Sequence, residues 1–194
     1  MEKKREAVLT RTTRETDIRL ALQLDGGRVE VSTGIGFFDH MLTALAVHGG
    51  FGLQLVVKGD LDVDCHHTIE DTGIVLGKAF EKAVGDRAGI ARYGSFAVPM
   101  DEALAVCHLD VSGRPFLVFG AEFPEERVGG FDTCMTVEFM RAFCMNAGVT
   151  LHIRCEYGSN SHHMIEAMCK ALAHALRIAL TRTGGEALST KGVL

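Results

Sequence analysis

His-His-x-Ile-Glu occurs twice in this chain, as "HHTIED" at residues 66–71 and as "HHMIEA" at residues 162–167. Four of its five positions are identical, and three of those carry side chains that are costly to bury unpaired. A chain that repeats such a run contains a duplicated structural unit, two matching metal-binding arms, or both. Setting the second His-His over the first, at an offset of 96, lays "HHTIEDTGIVLGKAFEKAVG" over "HHMIEAMCKALAHALRIALT". Both continue with apolar residues at helical spacing: Ile69, Val75, Leu76, Ala79 and Phe80 against Ile165, Met168, Cys169, Leu172 and Leu176. Each His-His is therefore expected in the first turn of an amphipathic helix, with Ser161 as N-cap of the second.

Upstream the repeat continues at an offset of 98, where "FFDHMLTALAVHGGFGLQLVV" lies over the last 21 residues of "TCMTVEFMRAFCMNAGVTLHIRC". Both read as a helix, a glycine-containing turn and an alternating strand. Further strands are expected at 7–13, 17–24, 28–33, 95–99, 104–111 and 116–123. The pattern predicts an α+β fold built by internal duplication, each half a mainly antiparallel sheet with two helices on one face. The first half is expected over residues 1–92 and the second over residues 93–194.

At the same offset His40 falls over Glu138. Neighbouring helical residues point about 100° apart, so His66 and His67 do not easily chelate one ion. Glu70 lies at i+4 from His66 and i+3 from His67, within reach of either. The chain thus offers eight candidate metal ligands: His40, His66, His67, Glu70, Glu138, His162, His163 and Glu166. They divide into two sites of four, leaving open positions on an octahedral ion as catalysis requires. Imidazole with carboxylate favours Mn, Fe or Zn, and octahedral demand favours Mn. His48, His108, His152 and His174 lack a partner in the repeat and read as ordinary surface or core histidines. Cys65 reads as a small buried hydrophobe.

Other classes are disfavoured. The net charge of −5, without a long basic run, offers nothing to nucleic acid. The longest apolar runs are too short for a membrane span, and "MEKKREAVLT" is not a signal peptide. Six cysteines without a C-x-x-C pair are expected as reduced thiols in a cytoplasmic protein.

The segments "STGIGFFDHML", "DCHHTIEDTGIVLGKAF", "RYGSFAVPMDEAL", "DVSGRPFLVF", "NAGVTLHI", "SHHMIEAMCKALAHALR" and "STKGVL" resemble the imidazoleglycerol-phosphate dehydratase family of histidine biosynthesis. The resemblance covers nearly the whole chain. It implies two similar α+β halves, a 24-subunit shell, active sites at subunit contacts and two Mn2+ per active site. Some relatives carry a phosphatase domain ahead of the dehydratase; here the pattern begins within the first dozen residues, so dehydratase activity alone is expected. Two positions depart from the pattern. Ala44 stands where many relatives have a polar residue, which puts a substrate contact in doubt. Glu138 stands where some have His, which alters ligand charge while keeping a ligand.

The implied substrate is imidazole glycerol phosphate and the implied product imidazole acetol phosphate. The proton to be lost has no adjacent carbonyl to make it acidic. Lewis acids on both ring nitrogens would stabilise an imidazolate able to expel hydroxide. The candidate catalytic carboxylates are Glu15, Glu70 and Glu166, with Glu15 of "RTTRET" as acid/base by resemblance. Phosphate contacts by resemblance are Arg92, Arg114, Lys170, Ser189 and Lys191. Arg114 is the best of these, because Ser-Gly-Arg-Pro pins it in a turn. The ligand set alone leaves two other readings open, a dinuclear metallohydrolase and a metal-storage shell.

Overall fold

The computed structural model describes residues 4–189. The first half runs β1 (Glu6–Thr12), β2 (Thr16–Gln23), β3 (Val29–Ser32), α1 (Gly36–Gly49), β4 (Gly52–Gly59) and α2 (His66–Val84). The second runs β5 (Tyr93–Met100), β6 (Ala103–Asp110), β7 (Phe116–Gly120), β8 (Arg127–Val128), β9 (Phe131–Asp132), α3 (Met135–Ala147), β10 (Thr150–Tyr157) and α4 (Ser161–Ala179).

The two four-stranded sheets have matching orders, β1-β2-β4-β3 and β5-β6-β10-β7. In each, two pairings are antiparallel and the last is parallel, β3 with β4 and β7 with β10. Period-two patterning sets the inner faces. Ile18, Leu20 and Leu22 are buried on β2, as are Ala105, Cys107 and Leu109 on β6. Gly50 (φ 71°) and Gly148 (φ 65°) end α1 and α3 in the left-handed conformation, so both glycine turns do the same job.

Helices α1 and α2 cover the first sheet, α3 and α4 the second, and the helices meet between them. The pairing crosses the halves: α1 packs on α4, and α2 on α3. One continuous apolar core results, with Phe38, Met140 and Leu172 in its midst. The α2–α3 seam is close because Gly73 and Gly77 face it. A Cβ on Gly77 would stand 2.6 Å from the Phe143 carbonyl oxygen, and one on Gly73 2.8 Å from Ala142 Cβ.

Three details differ from the sequence expectations. The N-cap of α4 is Asn160, whose side chain accepts from the His162 and His163 amides at 2.9 and 3.3 Å. Ser161 is fully buried instead, its Oγ accepting from the Glu125 amide at 3.0 Å. The strand expected over 116–123 stops at Gly120. The β8–β9 hairpin is an addition without a counterpart in the first half, and it packs Phe131 against Phe37 and Phe38, with ring centroids 5.4 and 5.9 Å away. All six cysteines are free, Cys65 among the buried ones. Among the described residues no helix is long and apolar enough to cross a membrane.

Candidate metal centre

Helix α2 begins at His66 and α4 at Ser161, so both arms lie in a first turn, where helix periodicity sets their geometry. His66 Nε2 stands 3.4 Å from Glu70 Oε2, and His162 Nε2 stands 3.3 Å from Glu166 Oε2. The neighbouring imidazoles diverge, with ring planes 70° apart in the first arm and 79° apart in the second. His40 Nε2 approaches from α1 to 3.5 Å of Glu166 Oε2. Ligand atoms of His40, His162 and Glu166 all lie within 4.8 Å of one another, the one such group of three among the described residues. Two imidazoles and a carboxylate, without thiolate, suit a divalent transition ion. The group draws on both halves.

The Glu166 side chain is only 8% exposed. Burial opposes its ionisation, but Lys170, His40 and His162 outweigh that and hold its pKa below the ordinary value. Lys170 Nζ is 2.7 Å from Glu166 Oε1, so the lysine faces this carboxylate. Glu138, the counterpart of His40, is paired with Arg141 one turn along α3 and joins no group of three.

The second histidines have partners of their own. His67 Nδ1 lies 3.0 Å from Asp60 Oδ2, and its Nε2 lies 3.8 Å from Glu15 Oε1. His163 Nδ1 lies 2.7 Å from Glu102 Oε2, and its Nε2 lies 3.8 Å from Asp101 Oδ2. The Asp60 hydrogen bond raises the pKa of His67, and the Glu102 hydrogen bond raises that of His163. Asp60, Asp101 and Glu102 were not singled out in the sequence. Extending the repeat to the first hairpin would have set the β5–β6 turn, with Asp101 and Glu102, against the β1–β2 turn with Glu15.

The phosphate candidates fall into two places. Arg92 is buried, with φ 70°, and its Nε and Nη2 donate to Asp110 at 2.7 and 3.0 Å while Nη1 donates to the Leu188 carbonyl. Arg114 Nη2 donates to the same carboxylate at 3.3 Å with its side chain 65% exposed. Leu188 brings its neighbour Ser189 to this end, and Lys191 lies outside the described residues. The Arg92 amide bonds to the Ala179 carbonyl at the far end of α4. Seventeen residues separate Ala179 from His162, which at about 1.5 Å per residue is roughly 25 Å of helix. Lys170 sits near the metal group and the two arginines do not. His48 and His174 hydrogen-bond each other at 3.3 Å (Nδ1 to Nε2).

A family profile described as imidazoleglycerol-phosphate dehydratase matches residues 33–176, a span that includes His40 and both arms. The chain belongs to the imidazoleglycerol-phosphate dehydratase family. It is accordingly an enzyme, a hydro-lyase. Imidazoleglycerol-phosphate dehydratase of Gluconobacter oxydans is 54% identical over 100% of both chains. That of Thermoanaerobacter pseudethanolicus is 55% identical over 98% of this chain and 100% of its own. The crystal structure of the Staphylococcus aureus dehydratase superposes with a TM-score of 0.85 at 41% identity, covering 92% of this chain and 99% of that one. The Pyrococcus furiosus dehydratase gives 0.84 at 35% identity, over 96% and 100%.

Proposed function

We propose that this dehydratase acts on imidazole glycerol phosphate in histidine biosynthesis, yielding imidazole acetol phosphate and water with two Mn2+ per active site. The observation that carries the metal dependence is the convergence of His40, His162 and Glu166 from two halves onto one point. When bound, such ions supply Lewis-acid charge to the nitrogens of the substrate ring. The chain's residues do the rest. His40, His162 and Glu166 anchor one ligand set; Glu138, His66 and Glu70, their counterparts, anchor the other. Divergence of His66 from His67, and of His162 from His163, lets each arm serve both ions. Glu15, whose Oε1 lies 3.8 Å from His67 Nε2, moves the proton. Arg92 and Arg114, with Lys170, Ser189 and Lys191, hold the phosphate as charge-assisted donors.

The same reading assigns the active site to subunit contacts in a cytoplasmic 24-subunit shell. The roughly 25 Å of α4 between the metal group and the two arginines supports this, because one chain alone cannot present both to one small substrate. Large exposed apolar side chains such as Phe116 and Tyr157 suit burial between subunits.

The test is metal removal. EDTA treatment should abolish formation of imidazole acetol phosphate, and Mn2+ should restore it better than Mg2+, which imidazole-rich sites bind poorly. Full activity in metal-free protein would overturn the reading. Phosphate release from generic esters would indicate hydrolysis instead.

A further inference from the structure

Each arm has one histidine whose Nε2 faces the glutamate one turn on, and a second whose Nδ1 is held by a carboxylate from elsewhere. For His67 that carboxylate is Asp60, just past the end of β4; for His163 it is Glu102, in the β5–β6 turn. These places are not equivalent in the repeat. At the offset of 98, Asp60 falls over Gly158, which has no side chain to offer, and the β5–β6 turn corresponds to the β1–β2 turn. Copying one half therefore does not account for the contact. Two different segments supply the same partner to the same ring nitrogen.

The chemistry of that contact is directional. An ionised carboxylate only accepts, so the Nδ1 it faces carries the proton and the lone pair of a neutral ring is left on Nε2. The Nε2 atoms stand 3.8 Å from Glu15 and Asp101, beyond hydrogen-bond reach and amid negative charge. A cation entering there meets a ring already turned, in the right tautomer and made more basic by its partner.

We propose that Asp60 and Glu102 are positioning residues for the metal centre, fixing His67 and His163 as Nε2 ligands without touching the ions themselves. The inference rests on the metal-dependent reading above.

The experiment titrates metal-free protein with Mn2+ and reads free Mn2+ from its electron paramagnetic resonance signal. It compares wild type with Asp60→Ala, Glu102→Ala, Asp60→Asn and Glu102→Gln. Each alanine variant should bind Mn2+ about 10- to 100-fold more weakly. The amide variants keep an oxygen that accepts from Nδ1–H and should fall between alanine and wild type. Metal-free melting temperatures should match wild type for the amide variants, which separates positioning from structural damage. Wild type that binds no Mn2+ would sink the metal-dependent reading. Wild type that binds, with all four variants equal to it, would sink this inference alone.

Discussion

At the level of single residues, Glu70 and Glu166 hold matching places in the two arms but differ in setting. Glu70 is 46% exposed at its side chain and Glu166 only 8%. Glu70→Gln and Glu166→Gln should both lower Mn2+ occupancy and abolish turnover, measurable by metal analysis beside a product assay. Glu166→Gln should also lower the melting temperature of metal-free protein, because it leaves Lys170 half-buried without its anion. Equal metal-free melting of the two variants would show that the Lys170 pair contributes nothing. Arg114→Ala should keep its metals and raise KM with little change in kcat. Loss of one charge-assisted bond costs about 1.5–3 kcal/mol, or roughly 10- to 150-fold. Loss of metal with KM unaltered would make Arg114 structural. His40 is legible in the sequence because the offset sets it over another metal-competent residue on the matching helix of the other half. Asp60 and Glu102 are not, because a lone acidic residue beside a strand end reads as a solvated turn until the chain is folded.

For the elements, periodicity sufficed where the pattern was long. The four helices and the eight sheet strands follow from 3.6-residue and two-residue spacing, with the ends of the numbered strands displaced by at most three residues. The β8–β9 hairpin has strands of two residues each, too short for any alternation to show. The cap of α4 was misplaced by one residue because Asn and Ser stand side by side and both can cap. The Asn160 bonds to the His162 and His163 amides and the burial of Ser161 against Glu125 separate them. The closeness of the α2–α3 seam yields a prediction. Alanine is the better helix former by about 1 kcal/mol, but the Cβ of Gly77→Ala would press on backbone that cannot rotate away. Overpacking of this kind costs about 1–3 kcal/mol, so Gly77→Ala should lower the melting temperature by a few degrees. Gly36→Ala meets nothing within 4 Å and should not. A Gly77→Ala protein that melts higher than wild type would mean that the helices can part freely.

On the scale of the whole molecule, the two ends of the chain are tied together by charge. Arg5 donates to Asp25 and to the Leu180 carbonyl, while Arg182 donates to Asp25 at 3.0 Å. Chiefly through the Arg5 hydrogen bond, Asp25 is held at about 2 in place of 3.8. A depressed carboxylate contributes stability above its unfolded value and loses it as pH falls through the folded one. The melting-temperature gap between wild type and Asp25→Asn should therefore be constant near neutrality and close as pH falls from 3.8 towards about 2. The effect is modest, since the carboxylate is 46% exposed. A gap that persists in acid would mean that the residue acts by shape and not by charge. On the proposed assembly, removing metal should weaken association between subunits, because binding energy at a shared site is also interface energy. Light scattering on metal-free and Mn2+-loaded protein reads this directly. An unchanged particle would assign cohesion to apolar contacts alone.

Because α1 meets α4 and α2 meets α3, exchange of the halves maps each helix contact onto the other. The chain is thus a covalent pair of half-length partners about an approximate twofold axis. In a true pair of identical short chains, every mutation lands on both sides of the axis at once. Here the sides mutate separately, which is how His40 and Glu138 occupy one helix position with different chemistry. On the proposed two-ion reading, fusion lets the two matched ligand sets carry unequal charge.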